Sequence, residues 1–182
     1  MKKVLIDIIP VLTGILLALI ISNWQQSRSE RAYIINSIQA IINENESNIA
    51  ELENSIGRQR GFVDTLRKYN SDAYSLYDIV QLANGLNTPD LKSTTWKFLV
   101  QDSKHTLVDY EFINRLAEIE KYEILINRHN EKVLDLFYQP AFFNDPELKR
   151  VCDLVLQDMM HNELDLKNTL ENFVLYAKKE IE

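Results

Sequence analysis

Residues 35 to 66 read INSIQAIINENESNIAELENSIGRQRGFVDTL, and their spacing decides the fold. Ile35, Ile42, Ile49, Ile56 and Val63 recur every seventh residue, and Ile38, Asn45, Leu52, Gln59 and Leu66 follow three places after them. A repeat of this kind aligns one stripe of side chains along a helix. Two arrangements compete for that stripe: a parallel dimeric coiled coil, or a bundle closed within one chain. A two-stranded coil wants complementary charges beside its seam, whereas these positions hold Gln39, Ile41, Glu46, Asn48, Ser55 and Phe62. Ile34, Ile41 and Phe62 also widen the apolar face enough to touch two neighbours, which favours the bundle. Asn45 and Gln59 then become polar spots that fix register or face a partner. Gly57 and Gly61, one turn apart, suggest a bend or a close helix contact.

Upstream of this helix lies VLIDIIPVLTGILLALIIS, Val4 to Ser22, nineteen residues in which Asp7 is the only charge. At about 1.5 Å per residue the run is long enough for the roughly 30 Å hydrocarbon layer of a membrane. It exceeds an ordinary signal-peptide core and lacks a small-residue cleavage site, so it predicts a retained transmembrane helix over 4–22 after a leader of residues 1–3. Trp24 falls where an amphipathic indole anchors at the interface. Lys2 and Lys3 set the expected orientation: N-terminus cytoplasmic, and the bulk periplasmic beyond a bacterial inner membrane. Asp7, near one end, is read as snorkelling, with a proton-carrying role in a membrane partner as its rival. Pro10 sits early enough to kink the helix cheaply. Gly14 and Ala18 form a small-residue face that lets a partner helix approach. No Gly or Pro interrupts Trp24 to Ile56, so the span is expected to run into a juxtamembrane helix over 23–70.

Residues 71–182 supply the remaining helices. Ser71 or Asp72 is the expected cap of a helix carrying Leu76, Ile79, Val80 and Ala83, stopped at Gly85. Past Pro89, Asp90 or Ser93 is placed to cap a short helix with Trp96, Leu99 and Val100, and Trp96 is assigned to the core. Asp109 opens a long helix with Phe112, Leu116, Ile119, Ile126, Val133 and Phe137 on one stripe, interrupted by Glu123 and Asn130. Phe142 and Phe143 between Pro140 and Pro146 are expected to close the bundle end. Asp145 and Pro146 start the last helix, whose stripe is read as Leu148, Val151, Val155, Met159, Leu166, Leu170, Phe173 and Ala177. The predicted fold class is all-α: one N-terminal transmembrane helix continuing into an extracytoplasmic helical bundle.

The charge balance narrows the function. With 20 basic against 27 acidic residues, the net charge is −7, which argues against nucleic acid as a partner. Cys152 is the only cysteine, so neither an intrachain disulfide nor a cysteine metal cluster can form, and its apolar flank points to burial. Di-metal bundles carry two Glu-x-x-His pairs, and the nearest approach is Asp158-x-x-His161, with His129 and His105 lacking the acid. No phosphate loop, nucleophile elbow or H-E-x-x-H motif occurs. The expectation is therefore no catalytic, metal or cofactor site.

DIIPVLTGILLALIISNWQ, Asp7 to Gln25, resembles the acid-I-x-x-V-x-x-G-x-L-x-A-L-x-I-N-N-W opening of an uncharacterised family of single-span bacterial membrane proteins, many from Bacteroidota. Asp7, Gly14, Ala18, Asn23 and Trp24 match, whereas Pro10 and Ser22 depart from the pattern. Thr95, Trp96 and Leu99 in TTWKFLVQDS are similar to that family's middle. The resemblance implies an anchor and a helical exterior with no known activity. The functional expectation is a non-catalytic, membrane-anchored accessory subunit that binds the lipid bilayer and another membrane protein, or itself, through Asp7, Gly14 and Ala18. The alternative is a sensor-like, ligand-binding bundle that signals through a partner.

Overall fold

A computed structural model describes residues 2–71, 73–101, 108–138 and 146–181, with side chains of the first helix described from Leu12 onward. All five elements are helices: α1 (Lys2–Lys68), α2 (Leu76–Leu82), α3 (Thr94–Gln101), α4 (Tyr110–Phe137) and α5 (Pro146–Ile181). No strand occurs among the described residues.

The heptad stripe of α1 lies inside the chain's own core. Ile38, Ile42, Leu52, Ile56, Val63 and Leu66 are buried, and so are Ile41 and Phe62 from the widened face. That width is used as two-sided packing requires, against α5 and against the short helices α2 and α3. α5 runs antiparallel to α1, as successive cross-helix pairs show: Glu46 with Lys178, Glu53 with Lys167, Gln59 with Glu163 and Arg67 with Asp153. α4 is antiparallel to α5 in turn, Phe112 meeting Phe173 edge-on at 5.1 Å and His129 meeting Asp158 at 2.7 Å. Three long helices thus enclose two apolar clusters, with Trp96 and Leu99 of α3 in the first and Leu76 and Ile79 of α2 in the second.

Several expectations need correction. Among the described residues no helix is long and apolar enough to cross a membrane, so a single-pass inner-membrane protein with a periplasmic bulk is not supported. Beyond Trp24 the helix turns polar at QQSRSER. The side chains of Val4 to Val11, Asp7 and Pro10 included, lie outside the described residues, as do those of Asp72, Val100, His105, Pro140, Phe142, Phe143, Asp145 and Pro146.

α2 begins later than the sequence suggested. Ser75, not Ser71 or Asp72, is its cap: the Ser75 hydroxyl accepts from the Asp78 amide while the Asp78 carboxylate accepts from the Ser75 amide. This reciprocal box satisfies two backbone donors at once, an advantage Ser71 lacks. The helix ends as expected at a left-handed turn, with Asn84 at φ 58° and Gly85 at φ 92°, and Gly85 donates back to the Val80 carbonyl. On α5 Leu148, Met159, Leu166, Leu170, Phe173 and Ala177 are buried as expected, and between Leu148 and Met159 the stripe is displaced. Cys152 and Leu156 are buried while Val151 is exposed, and the stripe continues through Met159, Glu163, Leu166, Leu170, Phe173 and Ala177. That spacing of three and four follows the helix repeat only if the charged Glu163 belongs to it. Gly57 and Gly61 lie in an unbroken helix and face open space, so neither marks a close helix contact.

Candidate functional site

The core is not purely apolar, and its polar residues are where chemistry is concentrated. Adjacent turns of α1 place Ser55 and Gln59 on the buried face, where α5 presents Glu163; all three are fully buried. Gln59 Nε2 lies 2.7 Å from Glu163 Oε1, 3.0 Å from Ser55 Oγ and 3.1 Å from the Asn87 carbonyl oxygen. One amide group with two hydrogens thus serves three oxygens. Meanwhile Gln59 Oε1, Glu163 Oε2 and Asn87 Nδ2 are buried without partners. Burial pushes the Glu163 carboxyl up to about 7, against the lowering effect of its bonds to Gln59 and Ser55. A carboxylate withdrawn from water gives up its hydration, so the proton binds more tightly.

A second polar region anchors α3. The Glu44 carboxylate on α1 accepts from the Thr94 and Thr95 amides at 3.1 to 3.3 Å and from the Thr95 hydroxyl at 2.9 Å. One turn on, the Asn48 side chain exchanges two hydrogen bonds with the backbone of Lys92, at 2.7 and 2.9 Å. Thus α3 is capped from another helix. Neither Asp90 nor Ser93 does this work, and the Ser93 hydroxyl instead accepts from Lys97 Nζ at 2.7 Å. Glu123 of α4 is buried beside this region, and desolvation raises its carboxyl to about 7, with Lys97 opposing and Glu120 and Glu44 adding to the rise. Sequence reading noticed Glu123 only as a break in the stripe.

The third region is the pair His129 and Asp158. His129 is buried on α4; its Nδ1 lies 2.9 Å from the Leu125 carbonyl oxygen, and its Nε2 meets Asp158 Oδ2 at 2.7 Å. Asp158 therefore pairs with His129, while His161, exposed on α5, approaches Asp165 at 3.6 Å. The imperfect metal half-motif is split between two different partners. Among the described residues, no three His, Cys, Asp or Glu side chains gather to hold a metal ion. Cys152 is buried, and desolvation with Asp153 nearby pushes its thiol up to about 12, which suits a small core residue and not a nucleophile.

Of the residues predicted as a partner interface, Gly14 and Ala18 lie on the exposed N-terminal arm of α1, and a Cβ added at Gly14 would meet nothing within 4 Å. Asp7 lies outside the described side chains. Trp24 is exposed, with the Arg28 guanidinium 5.6 Å from its ring centre. Around them Leu12, Ile15, Leu16, Leu17, Leu19, Ile20 and Ile21 are 53 to 64% exposed. At 100° per residue these positions cover about two thirds of the helix circumference and Gly14 and Ala18 lie in the remaining sector, so no broad face is left polar.

No family model, no curated protein and no solved structure matches this chain.

Proposed function

We propose that this chain is a non-catalytic interaction module that uses the N-terminal arm of α1 to dock on the apolar helices of another protein, with the α1–α4–α5 bundle as a rigid base. The observation that carries this reading is the arm itself. A helix that is apolar on all sides is normally enclosed, yet the large side chains from Leu12 to Ile21 are more than half exposed. An occupant must surround it, which one flat surface cannot do; a cleft between helices can. Gly14 and Ala18 leave room for a helix backbone to come close. The contact ends where Arg28, Glu30 and Arg31 begin.

The test compares the full chain with a Leu16→Glu, Ile20→Glu variant, both recovered from the cell in mild detergent. The module reading expects one protein partner in fixed proportion with the first and none with the second, at equal thermal stability. Recovery of the unaltered chain alone, or the same partner on both, overturns it.

One observation favours the sensor alternative. A groove of about 350 Å³ opens where the arm leaves the bundle, lined by Ile34, Ile35, Phe112 and Ile181 and rimmed by Arg31 and Glu180. Its volume falls in the range of small-ligand sites. A ligand seated there raises the unfolding temperature of the full chain but not of an Ile35→Arg variant; equal shifts in both would remove this reading.

A further inference from the structure

The chain between α2 and α3 has no helix of its own, and side chains of α1 hold it down at two places. Asn48 brackets Lys92, and Gln59 donates to the Asn87 carbonyl oxygen. The second hold is shared with a buried acid, because the same Gln59 nitrogen also serves Glu163. A proton on Glu163 changes the count of partners. With a neutral carboxyl, the acid hydrogen supplies the donor that Gln59 Oε1 lacks, so that acid and amide can bond through both pairs of atoms. The second amide hydrogen of Gln59 then remains for Asn87. Without the proton, Glu163 Oε2 and Gln59 Oε1 are both buried acceptors without a donor, and the charge is fully buried beside Gln59 and Ser55. A buried charge with one oxygen left without a donor costs more than its hydrogen bonds to Gln59 and Ser55 return, since desolvation outweighs them. Water must reach it, and the connector at residues 84–91, held at Asn87 by the same Gln59 and without a helix of its own, is the segment whose release admits it.

We propose that Glu163, Gln59 and Asn87 form a proton-operated latch, closed over the α1–α5 pair when Glu163 is protonated and released at the 84–91 connector when it ionises. The other ionisable groups around Glu163 do not substitute for that proton. From α1, Glu51 contributes only like charge, and Ser55 and Gln59 are neutral. The connector brings neutral Asn87, with Asp90 exposed beyond it. α4 brings His129, already engaged with Asp158, and Glu123, which faces Ser93 and Lys97. On α5 itself, Lys167 is held by Glu53 and Glu171. A cavity walled by exposed Arg58 and Gly61, by Phe62 and by Leu82 to Asn87 has Asn87 of the latch in its wall.

Hydrogen exchange of the backbone amides at 84–91 in the full chain, corrected for the intrinsic effect of pH, tests this directly. Between pH 5.5 and 8.5 protection there is expected to fall about tenfold or more, while the core amides of α4 keep theirs. Glu163→Gln, which keeps the shape of the neutral acid, is expected to hold protection constant, and Glu123→Gln to leave the fall intact. Protection that does not change, that falls equally in Glu163→Gln, or that falls to the same extent throughout the bundle overturns the latch. Should Glu163→Gln not fold, carbon NMR of the unaltered chain decides: the Glu163 carboxyl and the 84–91 protection must titrate with one midpoint, and two separate midpoints overturn it.

Discussion

Glu163 and Glu123 make stability depend on pH in a direction opposite to that of paired surface acids. Both carboxyls are raised in the folded chain to about 7 from an ordinary value of 4.5. Below pH 4.5 they are protonated in folded and unfolded chains alike and cost nothing. As pH rises from 4.5 to 7 only the unfolded chain releases the protons, so stability declines, and above 7 the loss is complete. At 1.36 kcal/mol per unit, each site withdraws on the order of 3 kcal/mol at pH 8, an upper figure because water reaching the site relieves part of it. Urea unfolding of Glu163→Gln should show a gain of about 2 kcal/mol at pH 8 and nearly none at pH 4.5. An equal effect at both values would mean that the carboxyl is not held neutral by its surroundings. Cys152, with its thiol pushed up to about 12, should resist a thiol reagent at pH 8 until urea is added. Prompt labelling of the native chain would contradict its burial.

At the scale of elements, the long helices, the stop of α2 at Gly85 and the start of α4 at Asp109 were legible, and the caps of α2 and α3 were not. The seven-residue repeat of α1 and the stripe of α4 record burial through their apolar positions, although Asn45, Gln59, Glu123 and His129 are buried among them. On α5 the buried polar position was Glu163. The three-and-four spacing through Met159, Leu166, Leu170 and Phe173 passes through it, a signal that reading only apolar letters discards. The cap of α3 was beyond reach for another reason: Glu44 lies fifty residues from Thr94 in sequence, and only the tertiary fold joins them. Ser93 had the right chemistry in the right place and lost to a carboxylate that reaches two amides and a hydroxyl. Glu44→Ala should therefore cost about 1 to 2 kcal/mol in urea unfolding, as loss of a helix cap does. Ser93→Ala should cost little. The reverse order would restore the local cap.

For the molecule as a whole, α1 is the organising body. At 67 residues it is about 100 Å long, whereas the 36 residues of α5 cover about 54 Å. The excess of about 46 Å extends past the bundle, and Leu12 to Trp24 lie on it. Composition alone suggested a membrane span there, since an apolar run looks the same whether lipid or protein will enclose it. Surface ion pairs such as Lys178 with Glu46 tie α5 to α1 but contribute little in water, so the bundle rests on its buried stripes. The arm belongs to none of those stripes, and Ile20→Glu should leave the melting temperature of the chain within about a degree. A photo-crosslinking residue placed at Ile20 of the full chain, in the cell that makes it, tests the docking claim most directly. The account predicts one discrete protein adduct at Ile20 and none when the same residue replaces exposed Leu154 on α5; lipid adducts alone, or no protein adduct at Ile20, would contradict it.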